Sequence, residues 1–244
     1  MSMKTGLTGL ALLLAAGCMP EAPEGPAPEE VAAQAALERL MGMETCTQAS
    51  AGYGGMQPEL TPCRISLGDG KPSLVVTSTP MIEGDEGPSG QIRIETWGSG
   101  GLSLQVIEET ALYAFNYPYV EDLTADGLPD LMVPLMTGNV NTSYALWVQG
   151  ADGQFVRAGE LGGVSIGQTP EGLIAASGRS SAAEWETGYF RVTNGALEEL
   201  AAVVNRADPE PGEAPLTQPP CEVIRILDGV DPASFCEAAA TTPG

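Results

Sequence analysis

Tyr119-Val120-Glu121-Asp122-Leu123-Thr124-Ala125-Asp126-Gly127-Leu128-Pro129-Asp130-Leu131-Met132-Val133 is the stretch from which the fold can be read. Two short apolar runs flank an acidic turn. Neither run is long enough for a helix, so the pattern is strand, loop, strand. Asp122, Thr124, Asp126 and Asp130 put side-chain oxygens at the first, third, fifth and ninth loop positions. Gly127 stands at the sixth, where a calcium loop turns sharply, and Leu128 would offer its carbonyl at the seventh. Crowded carboxylates repel one another unless a cation lies between them, so the spacing predicts Ca2+ as the cofactor. The plainer alternative is an acidic, solvated turn that binds no metal.

Outward from this loop, short β-rich runs continue in both directions. Strands are expected at Ser73–Ser78, Gln91–Trp97, Gly101–Ile107, Leu112–Phe115, Leu131–Leu135, Ser143–Gln149, Phe155–Ala158, Leu173–Ala176, Trp185–Val192 and Ala196–Val203. Turn signals separate them, the clearest being Asn194-Gly195. The last run, with its Ala, Leu and Glu, also has the composition of a helix. Asp69-Gly70-Lys71-Pro72-Ser73-Leu74-Val75-Val76 echoes Asp126-Gly127-Leu128-Pro129-Asp130-Leu131-Met132-Val133, with Ile65 and Leu67 where Asp122 and Thr124 stand. A period of nearly sixty residues suits a repeated β unit. The expected fold is mainly β: a small, irregular, propeller-like or sandwich-like antiparallel domain. A short N-terminal helix and a disulfide-stapled C-terminal tail complete it.

The ends divide by composition. Lys4 and the apolar run Leu7–Ala16 read as a signal peptide over 1–17, too short to span a bilayer. Leu14-Ala15-Ala16-Gly17-Cys18 resembles the lipobox of bacterial lipoproteins, which implies lipidation at Cys18. Met19 after that cysteine fits delivery to the outer membrane. A Pro- and Glu-rich tether covers 18–28, and a helix is expected over 29–45, its periodic part running Glu29–Met41. The β domain spans 46–207, a Pro-rich linker 208–220, and the disulfide tail 221–244. Setting Cys18 aside leaves Cys46, Cys63, Cys221 and Cys236, an even number suited to an oxidising compartment. Local pairing and pairing between the two chain ends are both open.

The loop resembles the strand–loop–strand calcium hairpins of FG-GAP and VCBS β-propeller repeats. Asp122, Asp126, Gly127 and Asp130 match their acidic loop, and Leu131-Met132-Val133 the strand that follows. Ala145-Leu146-Trp147-Val148, followed by Asp152-Gly153-Gln154-Phe155, matches the later strand and turn. Thr124 replaces the usual asparagine, and Val133 stands where an EF-hand carries its glutamate. The resemblance implies a binding or scaffolding role and names no partner.

Composition narrows the function. The chain has 244 residues, a formal net charge of −22 and no histidine. Such a surface repels phosphate backbones, so nucleic acid is not an expected partner. The missing histidine removes imidazole acid–base catalysis and His-ligated zinc. Glu184 and Glu186 flank Trp185 and share one strand face, most simply the solvent face; they are the remaining acid pair for glycoside hydrolysis. The expectation is a non-enzymatic periplasmic lipoprotein, lipid-anchored at the outer membrane, that binds a protein. One concrete version is an immunity protein inhibiting a basic, lysozyme-like peptidoglycan hydrolase. The alternative is a structural envelope scaffold or adhesin-like lipoprotein. Trp97, Trp147, Trp185 and Tyr189 are expected in the core or in cross-strand pairs. Tyr53, Tyr117 and Tyr119 are better surface candidates.

Overall fold

The computed structural model describes residues 27–46, 58–68, 71–85, 87–98, 100–207 and 218–239. Cys18, the tether ahead of residue 27, Tyr53 and most of the Pro-rich linker lie outside them. The protein is mainly β and antiparallel. Strands β1 (Cys63–Ser66), β2 (Ser73–Ser78), β3 (Ser89–Trp97) and β4 (Ser103–Leu112) form a meander. A second follows in β5 (Tyr119–Glu121), β6 (Asp130–Thr137), β7 (Thr142–Gln149) and β8 (Phe155–Gly163). The third comprises β9 (Ser165–Gln168), β10 (Ile174–Arg179), β11 (Glu184–Thr193), β12 (Ala196–Arg206) and β13 (Cys221–Ile226). Helix α1 (Pro28–Met41) precedes them and α2 (Ala233–Ala239) follows. Among the described residues, no helix is long and apolar enough to cross a membrane.

The units are stacked layers. The first two share one eight-stranded sheet, but β4 meets β6 only through the parallel pair Leu112↔Met136. Side chains from both units fill a common cluster that includes Leu74, Ile92, Ile94, Ile107, Leu131, Val133 and Phe155. The sheet therefore folds across that junction. Along β6, Leu131 and Val133 enter this cluster while Met132 points the other way, and all three are fully buried. Met132, Leu146 and Leu161 meet Ile174 and Ala176 of the third unit in a second cluster. The third unit's outer face carries Tyr189, Ala201 and Val203 beneath Phe235 of α2. The middle unit is thus covered on both faces, which accounts for the unbroken apolar run Leu131–Val133.

Several sequence expectations meet the structure here. Ser73–Ser78 is a strand at its expected bounds, and Asn194-Gly195 turns the β11–β12 hairpin with φ of 53° and 77°. Two successive positive φ values define the twisted turn that Asn-Gly favours. Residues 196–206 form a strand rather than a helix, because the buried run Leu200–Val203 fills the third layer. Leu112–Phe115 is no separate strand: β4 runs to Leu112, and Tyr113 at φ 68° breaks the ladder. The acid-poor echo runs into β2 as the acidic stretch runs into β6, though its Asp69 and Gly70 lie outside the described residues. Glu171-Gly172-Leu173 occupies the same place between β9 and β10, with Gly172 at φ 78°. The disulfides pair locally, Cys46–Cys63 and Cys221–Cys236. The first fixes the exit of α1 against β1, where Cys46 N donates to the Arg64 carbonyl. The second ties α2 to β13, so part of the expected separate tail is the edge strand of the third unit.

Candidate functional site

The acidic loop joins the first two strands of the middle layer. Pairs Tyr119↔Met132, Val120↔Leu131 and Glu121↔Asp130 close its base. Leu123 is fully buried in the cluster shared with the third unit, so the loop is rooted between layers. Tyr119 enters the same cluster and meets Tyr144 edge-on, 5.8 Å between ring centroids. Burial raises both phenols above their ordinary pKa.

The acids fold the loop onto its own backbone. Asp122 Oδ1 accepts from Asp126 N at 3.2 Å and its Oδ2 from Gly127 N at 3.0 Å. Asp126 Oδ1 accepts from Leu128 N at 2.8 Å. Asp130 Oδ2 accepts from Leu123 N, Thr124 N and Thr124 Oγ1 at 3.0, 2.9 and 3.1 Å. These bonds reward Asp and Thr at this spacing without invoking an ion. Ala125 and Gly127 take positive φ of 59° and 82°, and Gly127 lets the chain turn there at no steric cost.

Asp130 is the exception to this economy. It is fully buried, and its Oδ1 has no hydrogen-bond partner. Burial raises its carboxyl above the ordinary value, against the lowering effect of the Thr124 and Leu123 donors; nearby Asp126 adds a smaller push upward. An unpartnered buried carboxylate oxygen is costly, and a bound cation is one way to satisfy it. Asp122 and Asp126 lie at the exposed rim. Among the described residues, no three acidic or cysteine side chains converge closely enough to form a metal cage. The donor chemistry suits Ca2+ only if the Thr124 hydroxyl, a backbone carbonyl such as that of Leu128, and waters share the shell.

The second acid pair lies elsewhere. Glu184 Oε1 accepts from Arg206 Nε at 2.9 Å, and Glu186 Oε1 from Arg225 Nη2 at 2.6 Å. Glu186 lines a cleft between the second and third units, not an open solvent face. Trp147 is half-buried and Tyr189 buried, and Trp185 forms the expected cross-strand pair at the surface, with the guanidinium of its partner Arg179 4.9 Å from its ring centre.

Sequence reasoning missed the polar bolts between layers. The Asn141 amide pairs with both backbone groups of Arg179, Nδ2 to the carbonyl and Oδ1 from the N–H, each at 3.0 Å. Gln105 grips Phe155 in the same way at 2.7 and 2.9 Å. Glu109 Oε1 accepts from Trp147 Nε1 and from Arg157 Nε across the first two units. No local pattern announces such residues, because each partner is distant in sequence.

Neither a protein-family model nor a curated protein matches the chain. A solved structure described as that of a Xanthomonas type IV secretion system related protein aligns at a TM-score of 0.41 with 13% identity, over 70% of this chain and 97% of that one.

Proposed function

We propose that the protein is a lipid-anchored envelope lipoprotein whose calcium-stabilised β domain binds a protein partner without catalysis. The observation that carries this reading is how the acids are used. Asp122, Asp126 and Asp130 close a loop rooted between two layers, and Glu184 and Glu186 are held by Arg206 and Arg225. Acids committed in this way favour a rigid frame over a pair poised for proton transfer. Calcium at Asp122, Thr124, Asp126, Leu128 and Asp130 belongs to the proposal, supported by the unpartnered buried oxygen of Asp130. So does lipidation at Cys18, which rests on the lipobox resemblance. Both disulfides and the layered core limit the ordering that binding would cost.

The partner best matched to a net charge of −22 is a basic protein. In the envelope, a lysozyme-like peptidoglycan hydrolase is such a protein, and the role would be that of an immunity protein. The test is affinity capture with a soluble form beginning after Cys18, offered the basic hydrolases of its own genome at low salt, with calcium and with chelator. Capture and inhibition of one hydrolase support the inhibitor. Recovery of envelope assembly proteins and no hydrolase would point to the scaffold instead.

A further inference from the structure

A cleft of about 280 Å³ opens where the second and third units part, away from the acidic loop. Its floor is the face of the third sheet that also packs on the second unit. Register lays that face out in rows: Ile174–Phe190–Glu199, then Ala176–Gly188–Ala202–Arg225, then Gly178–Glu186–Val204. The middle row is small until it reaches Arg225, which hollows the floor. A Cβ at position 188 would stand 2.6 Å from Phe190 Cε2, so the phenyl ring lies across the glycine.

Two β-bulges place the charges. Between β11 and β12 the register steps from Tyr189↔Ala201 to Phe190↔Glu199, skipping Leu200. Between β12 and β13 it steps from Val203↔Val223 to Ala202↔Arg225, skipping Ile224. Unbroken ladders would put Leu200 and Ile224 on the cleft face. Each bulge instead replaces an aliphatic residue with a charged one, on neighbouring strands and toward the same hollow. Bulges that re-aim a side chain are over-represented at sheet edges, where β13 lies, and beside functional sites. Arg225 then reaches Glu186 Oε1 at 2.6 Å and Glu199 Oε1 at 2.9 Å.

We propose that this cleft binds a neutral, hydroxyl-rich ligand, a sugar unit of a glycan. An anion would compete with two glutamates already on Arg225, and with the Trp185 ring and Ala182 carbonyl that hold Arg179, the other guanidinium of the lining, against the field of a protein with net charge −22. A cation would meet the guanidinium at the centre of the group. A hydroxyl donates to a carboxylate while accepting from a guanidinium, so neighbouring hydroxyls satisfy both kinds of group at once. The half-buried Phe190 ring, lying across Gly188, adds apolar lining beside these groups. This inference rests neither on the calcium loop nor on the protein partner.

The test is titration of the full chain with glucose, galactose, mannose and N-acetylglucosamine, each as monosaccharide and trisaccharide, followed by backbone amide shifts. One series should saturate and move the amides of Gly178, Gly188 and Glu199. Glu186→Gln and Glu199→Gln, both at half-exposed positions that tolerate an isostere, should each weaken it at least about tenfold. Absence of saturation by every sugar overturns the proposal. So does unchanged affinity in both variants, or shifts of these amides that follow inorganic phosphate or methylammonium instead. None of these outcomes touches the calcium dependence of stability or the capture of a protein partner.

Discussion

Asn141 uses its side-chain amide as a strand would use its backbone, bonding both groups of Arg179 across two units. Asn141→Ala removes both bonds from an exposed seam, where each contributes about 1 kcal/mol. A loss of about 1–2 kcal/mol in urea unfolding, with an unchanged denaturant slope, is expected. Tyr119 titrates in the sense that burial dictates. Its phenol is raised in the folded state, so its contribution is complete below the ordinary value near 10 and is lost as pH rises through the raised one. Stability should therefore fall in the alkaline range, with tyrosinate absorbance appearing only as the fold opens; a Tyr119→Phe variant should lose part of that dependence. Much at this scale was legible in the sequence: the acids, the turning glycine and their spacing. Their hydrogen-bond partners were not, since those depend on which amides the folded loop presents. Asp130 shows the difference, reading as one acid among several yet folding as the buried one.

At the scale of elements, strands with strong β-branched or alternating patterns were readable, and Ser73–Ser78 came out at its observed bounds. The three-residue β5 and the glycine-containing β9 carry too little local signal, and their neighbours make them strands, whereas β13 has a β-branched run that reads as tail because it stands beyond the Pro-rich linker. Residues 196–206 show the converse, where helix-forming composition yields to packing in a layer. The sequence also left disulfide pairing open, because spacing alone does not choose among connectivities. Cys221–Cys236 closes a loop of 15 residues and holds β13 and α2 to the third unit. Replacing both cysteines by serine should lower stability by about 3 kcal/mol. Hydrogen exchange should quicken first at Val223–Ile226, while β6 and β7 stay protected; uniform acceleration across all strands would show that the bridge supports the whole stack.

For the whole molecule, three β units stack so that the middle one is buried on both faces, with α2 covering the outer face of the third. The sequence carries one acidic turn and one faint echo of it, while the third unit has only Glu171-Gly172-Leu173 at the corresponding turn. The acidic turn of the middle unit is the one that carries the buried Asp130. If that loop is a calcium clamp, it fixes the middle layer to its neighbours and thereby steadies whichever surface meets the partner. Calcium loops of extracellular modules bind at about 0.1–1 mM, so 10 mM calcium should stabilise by at least about 1.4 kcal/mol. In a domain of this size that is a rise of at least about 3–6 °C in Tm. The decisive measurement is the Tm of the full chain and of Asp126→Ala, each with chelator and with 10 mM calcium. The native protein should gain those degrees with calcium, while Asp126→Ala melts lower and does not respond. A native Tm indifferent to calcium would contradict the clamp and leave the loop as a turn held by its own amides.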